Sequence, residues 1–145
     1  MKTEILQTAI NYLSYREHAC KELIYKLQTK GFAKTDILPV IDYLQQKNYQ
    51  SDQRYAESII RNRVNKGYGV LYIKQALSQQ GITSSIIEQE LKNQQIDWYL
   101  QAELAYNKRF AGAVIKDNKD RAKRIRFMQN RGFSNEHIFT LISPN

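Results

Sequence analysis

Cysteine is almost absent from this 145-residue chain: Cys20 stands alone, so neither an intrachain disulfide nor a cysteine-based metal site can form. A lone cysteine of this kind reads as a small helix residue, and a reducing, cytoplasmic setting fits it. Long apolar runs are missing as well. The opening MKTEILQTAINYL intersperses Glu4, Gln7 and Asn11 among its apolar residues, which excludes the continuous core of a signal peptide. No stretch approaches the roughly 20 apolar residues of a membrane helix, so no membrane partner is expected. Only two prolines and six glycines punctuate the chain, and strict apolar alternation is lacking, which leaves little room for a sheet.

What is present is charge, helical periodicity and repetition. Hydrophobic residues make up 42% and charged residues 25%, the balance of a folded domain. The net charge of +8 is uneven: residues 54–75 carry 5 Lys/Arg against 1 Asp/Glu, and residues 97–145 carry 9 against 5. A basic excess of this kind favours polyanions and acidic partners, although an ordinary solvated surface is equally compatible with it.

Comparing the chain with itself shows its organisation. KELIYKLQTKGFAKTDILPVI, LYIKQALSQQGITSSIIEQEL and KRIRFMQNRGFSNEHIFTLI superpose on Gly31, Gly81 and Gly132. Leu27, Leu77 and Met128 precede these glycines by four residues, and Phe32, Ile82 and Phe133 follow them directly. This is the pattern of a helix stopped by a left-handed glycine, with the next apolar residue folded back over the last turn. The following helix is expected to be capped by Thr83 in the second unit, by Ser134 in the third, and by Thr35 or Asp36 in the first, with Pro39 near its first turn. A further helix precedes each pair, over about 3–15, 52–65 and 97–109. The expected fold is all-α: three tandem three-helix repeats, at 1–50, 51–95 and 96–145, stacked into an elongated, curved molecule suited to binding along a groove.

The stretch RNRVNKGYGV is not a phosphate loop, because it follows a helix and lacks the Lys-Ser/Thr pair. Gly67 fits the end of one helix and Gly69 the start of the next. The basic residues Arg54, Arg61, Arg63, Lys66 and Lys74 of the middle unit, with Lys123, Arg124 and Arg126 of the last, are the candidate partner contacts. Arg121 belongs to the same cluster. Tyr68 and Tyr72 adjoin the first basic block, where base stacking and plain packing are both open readings. Asp52 is expected to cap its own helix, and Gly31, Gly69, Gly81 and Gly132 to set the bends. No catalytic residues, metal ligands or cofactor are indicated: His18 and His137 lie in different repeats, and no Ser or Cys has an evident base.

The stretches LSYREHACKELIYKL, YQSDQRYAESIIRNRVNKGYGVLYIKQALSQQGI and RIRFMQNRGF resemble, in order, the three helical repeats of the RecX regulatory family. The resemblance is densest at Ser51–Ala56, at Gly69–Gly81 and around Arg126-Phe127-Met128 with Arg131-Gly132-Phe133. It implies a cytoplasmic, non-enzymatic bacterial protein that binds RecA and lodges in the groove of RecA filaments on single-stranded DNA. There it would limit extension or promote disassembly, and so inhibit recombinase and co-protease activity. Weak direct contact with DNA is left open, and a monomer is expected. The sequence departs from the family at Ala76, where an acidic residue is common, in the lead-in KRFAGAVIKDN, and in beginning directly at the first repeat. The competing reading is a helix-turn-helix-like nucleic-acid-binding module acting without RecA. Glu88 and Glu90, against Lys92 alone, make 83–93 a poor recognition helix for it.

Overall fold

Helical periodicity becomes helix throughout the computed structural model, which describes residues 1–144. Among the described residues there are nine helices and no strand. The first repeat contributes α1 (Thr3–Tyr15), α2 (Cys20–Thr29) and α3 (Lys34–Gln46). The second contributes α4 (Asp52–Asn65), α5 (Val70–Gln79) and α6 (Ser84–Gln94). The third contributes α7 (Trp98–Phe110), α8 (Asn118–Asn130) and α9 (Asn135–Ile138), the last a single turn.

The glycine template corresponds to a repeated helix end. Gly31, Gly81 and Gly132 have φ of 100°, 75° and 91°. The N–H of the apolar residue after each glycine reaches back to the carbonyl at the matching position: Phe32 to Leu27 at 3.3 Å, Ile82 to Leu77 at 3.1 Å, and Phe133 to Met128 at 3.2 Å. Each glycine N–H in turn bonds the carbonyl three residues earlier, which completes the two-bond Schellman closure of α2, α5 and α8.

Caps follow the expectation less closely. Thr83 Oγ1 accepts from Ile86 N at the start of α6. The α3 start differs: Ala33 is its N-cap with no side-chain bond, and Asp36 pairs instead with Lys2 at 2.9 Å. Pro39 lies inside α3, two residues beyond the first turn. Ser134 precedes α9 but turns its hydroxyl to His137 Nδ1. Asp52 requires a correction as well. Ser51 Oγ accepts from Arg54 N at the start of α4, whereas Asp52 Oδ1 accepts from Cys20 N at 2.8 Å. Asp52 therefore caps α2, tying the second repeat's first helix to a helix of the first repeat, a long-range choice that local spacing does not encode.

By their contacts the residues form two units, residues 1–58 with 77–90, and residues 59–76 with the chain from 91 onward. The first unit buries Ile5, Ala9, Leu23, Leu27, Ile37, Val40, Ile41 and Leu44, the inward stripes of α1–α3. Beside this core lies a polar joint. Gln50 Nε2 donates to the His18 carbonyl and to Asp52 Oδ1, and Gln53 Nε2 donates to Glu90 Oε1 at 2.9 Å.

His18 is buried with its Nδ1–H on the Arg16 carbonyl, while its Nε2 accepts from Lys26 Nζ at 2.9 Å. Protonation would remove that acceptor and set two cations together. Burial, together with the neighbouring Arg16 and Lys26 charges, holds the imidazole below its ordinary pKa despite the favourable bond to the Arg16 carbonyl and the attraction of the nearby Glu22 charge. The unfolded chain then takes up the proton first, so this contribution to stability is complete above about pH 6.5 and is lost as pH falls through the lower folded value. Thermal melting between pH 7 and pH 5 should therefore show a downward slope that is shallower in His18→Gln; equal slopes would remove His18 from this role.

The second unit packs Ala102, Met128, Phe133, Ile138 and Ile142. Its tightest feature joins the second and third repeats backbone to backbone. Gly69 N donates to the Arg131 carbonyl at 2.7 Å, and Leu71 N donates to the Gly132 carbonyl at 2.9 Å. A Cβ on Gly69 would meet Phe133 N at 2.4 Å and Gly132 C at 2.5 Å; one on Gly132 would meet Tyr72 Cβ at 2.3 Å and Tyr72 N at 2.5 Å. Gly69 thus directly precedes α5, as its sequence position suggests, and also leaves room for a second main chain.

Candidate partner-binding surface

The second half of α4 carries Arg61 and Arg63, and Lys66 follows its last residue; Arg61 and Lys66 are exposed and Arg63 is half-buried with its guanidinium on Asn62 Oδ1. Lys74 on α5 is half-buried. On α8, Lys123 and Arg126 are exposed, and Arg121 Nη1 bonds Asn118 Oδ1. Arg54, in the first unit, is held by Glu17 at 3.1 Å and by Asn48 Oδ1 at 2.9 Å, so its charge is offset within the fold.

Arg124 occupies a different environment from the rest of its cluster. It is only 3% exposed. Nη1 donates to Tyr106 Oη at 2.8 Å and the Ala113 carbonyl at 2.7 Å; Nη2 donates to the Val114 carbonyl at 3.2 Å and Asp120 Oδ2 at 3.1 Å; Nε donates to Asp120 Oδ1. Its Cζ lies 4.7 Å from the Phe110 ring centre. All five N–H directions have acceptors, which is the full capacity of a guanidinium. Arg124 pins the irregular lead-in between α7 and α8, where Ala111 and Gly112 take positive φ, and it is not available to a partner. The sequence did carry a signal: Arg124 precedes the buried Met128 by four residues and so shares its face.

Lys66 meets three cations that sequence reasoning passed over. It lines a recess with Lys108 and Arg109 of α7 and with Arg131 at the end of α8, around Gly67, Ala105 and Phe127. Arg109 and Arg131 lie 5.4 and 5.5 Å from the Phe127 ring centre, and Arg131 also lies 4.8 Å from that of Tyr68. Tyr68 stacks on Tyr72 at 4.1 Å. The adjacent pair Lys108-Arg109 was legible as charge at a helix end, but its meeting with Lys66 and Arg131 depends on tertiary packing.

Burial pushes the Cys20 thiol up, with Asp52 and Asp42 adding to the effect, the reverse of what a nucleophile requires. Among the described residues no group of three or more His, Cys, Asp or Glu is placed to hold a metal ion, and no helix is long and apolar enough to cross a membrane.

Comparison with known proteins agrees with this architecture. Family models for the first, second and third three-helix domains of RecX match residues 6–52, 51–91 and 97–142. The regulatory protein RecX of Vibrio parahaemolyticus is 41% identical over 137 residues, covering 94% of this chain and 88% of its own. That of Pseudomonas entomophila is 38% identical over 139 residues, covering 96% and 90%. The crystal structure of RecX from Lactobacillus salivarius superposes with a TM-score of 0.78 at 26% identity over 95% of this chain and 92% of that one. Three domains matched in tandem, with this identity along nearly the whole length, establish that the chain belongs to the RecX family of regulatory proteins, which are not enzymes.

Proposed function

We propose that this protein binds RecA and RecA filaments on single-stranded DNA in the bacterial cytoplasm, as a monomer, and limits filament extension or promotes disassembly. Recombinase and co-protease activity then decline, and filament ATP hydrolysis falls as a consequence. The observation that carries the reading is the three-domain RecX match spanning residues 6–142. A ligand shifts an equilibrium only by binding its states differently, so the protein must favour protomer arrangements that do not support growth. The contacts assigned to the partner are Arg61, Arg63, Lys66, Lys74, Lys123 and Arg126. Arg124 and Arg54 are left out because their hydrogen bonds are made inside the fold.

A free-standing helix-turn-helix module has less support. Glu90 of α6 is buried against Gln53, Glu88 is exposed, and Lys92 is the sole cation on that helix, a poor surface for a phosphate-lined groove.

The test is RecA filament growth and ATP hydrolysis on single-stranded DNA with substoichiometric protein. Both should slow, and Arg61→Glu with Arg63→Glu should weaken the effect severalfold while melting nearly as wild type. A large loss of folding in that variant would make these arginines structural, and unchanged growth and hydrolysis at saturating wild-type protein would refute the function.

A further inference from the structure

The recess of Lys66, Lys108, Arg109 and Arg131 concentrates four cations, and among the described residues no carboxylate lines it. Glu103, the one acid on α7, lies more than about 100° around that helix from Ala105, Lys108 and Arg109. Like charges this close repel unless something holds them and something else offsets them. What holds them is aromatic: Phe127 carries both guanidinium groups, with Phe110 5.5 Å from Arg109 and Tyr68 beneath Arg131. A guanidinium lying on a ring keeps its N–H edge free, so the rings fix two forks for oxyanions. What offsets them must come from outside the fold.

From this geometry we infer that the recess binds the phosphodiester backbone of single-stranded nucleic acid, without preference for base. The ring faces are already taken: Tyr68 stacks on Tyr72 and carries Arg131, and Phe127 carries Arg109 and Arg131. With cations already on both Tyr68 and Phe127, the ligand is recognised by its charge rather than by stacking on these rings. Two forks and two ammonium groups within one small space suit closely spaced charges that each present several oxygens, as consecutive phosphates do. The lining is a small concave recess, into which a flexible single strand can bend its phosphates more closely than a stiff duplex can.

This inference does not depend on the RecA reading, and its test contains no RecA. Fluorescence anisotropy of a labelled oligo(dT), titrated with the full chain across salt concentrations, compares wild type with Lys108→Glu plus Arg109→Glu. The variant should bind at least about tenfold more weakly, and its log–log salt slope should be shallower by about 1.4, two phosphates at roughly 0.7 each. Oligo(dA) should bind like oligo(dT), and Lys34→Glu, in the first unit, should bind as wild type. Lys66→Gln plus Lys108→Gln, which alters two exposed ammonium groups, should show the same direction of change and serves if the charge reversal unfolds the protein. Wild-type affinity and slope in these variants would overturn the inference. So would poly-glutamate displacing the oligonucleotide as effectively as unlabelled oligo(dT), because the occupant would then be an acidic protein.

Discussion

Gly132→Ala is expected to destabilise the protein far more than the same substitution at Gly31, although both glycines end a helix at the same place in the repeat. Each has positive φ, 91° and 100°, so each variant carries the left-handed penalty of about 1–2 kcal/mol. Gly31 then meets nothing further, since its Cβ position has no atom within 4 Å. At Gly132 the new methyl would fall 2.5 Å from Tyr72 N, and a main chain cannot yield as a flexible side-chain end can. Overpacking of this kind adds about 1–3 kcal/mol, and more if the Gly69–Arg131 and Leu71–Gly132 bonds are lost with it. Gly69→Ala should show the packing cost alone. Because both changes break one joint, the double variant should lose less than the sum of the singles. Urea unfolding followed by helical circular dichroism provides the measurement. Equal midpoints for Gly132→Ala and Gly31→Ala would show that the joint does not hold the second and third repeats together.

Arg124→Ala is the other large expected effect, and it is a loss of folding before it is a loss of binding. Truncation leaves Asp120, Tyr106 and the carbonyls of Ala113 and Val114 without the guanidinium that joins them, and removes a buried side chain packed against Phe110 and Tyr106. Arg124→Lys should restore little, because one ammonium cannot reproduce a planar fork with acceptors on all sides. The melting temperature should fall sharply in both variants, whereas Lys123→Ala and Arg126→Ala, on the exposed side of α8, should stay within about 2 °C of wild type. Amide exchange should rise first in the α7–α8 lead-in. Wild-type melting in Arg124→Ala, with weakened partner binding, would instead return this arginine to the contact surface.

The helices were legible because their causes are local. Apolar spacing marked α1, α4 and α7, and a glycine followed by an apolar residue marked the ends of α2, α5 and α8 down to the bonded pairs Phe32–Leu27, Ile82–Leu77 and Phe133–Met128. What escaped was every feature decided by a distant partner. Asp52 looks like the cap of its own helix, and only the approach of α2 makes it the acceptor for Cys20 N. Gly69 looks like a helix start, and only the crossing chain at Arg131–Phe133 makes a side chain there impossible. Charge alone cannot separate Arg124 from Arg126, two residues along one helix; the 3% exposure of the first follows from sharing a face with Met128. The recess was hidden for the same reason, since its four cations come from three helix ends separated in sequence.

The central claim, that this RecX-family chain restrains RecA filaments, is tested most directly by imaging the growth of single RecA filaments on single-stranded DNA while the protein is added below stoichiometry. The account predicts that net extension slows or reverses within the same filament, and that Arg61→Glu with Arg63→Glu largely relieves the effect. Filaments that extend at an unchanged rate under saturating wild-type protein would contradict it.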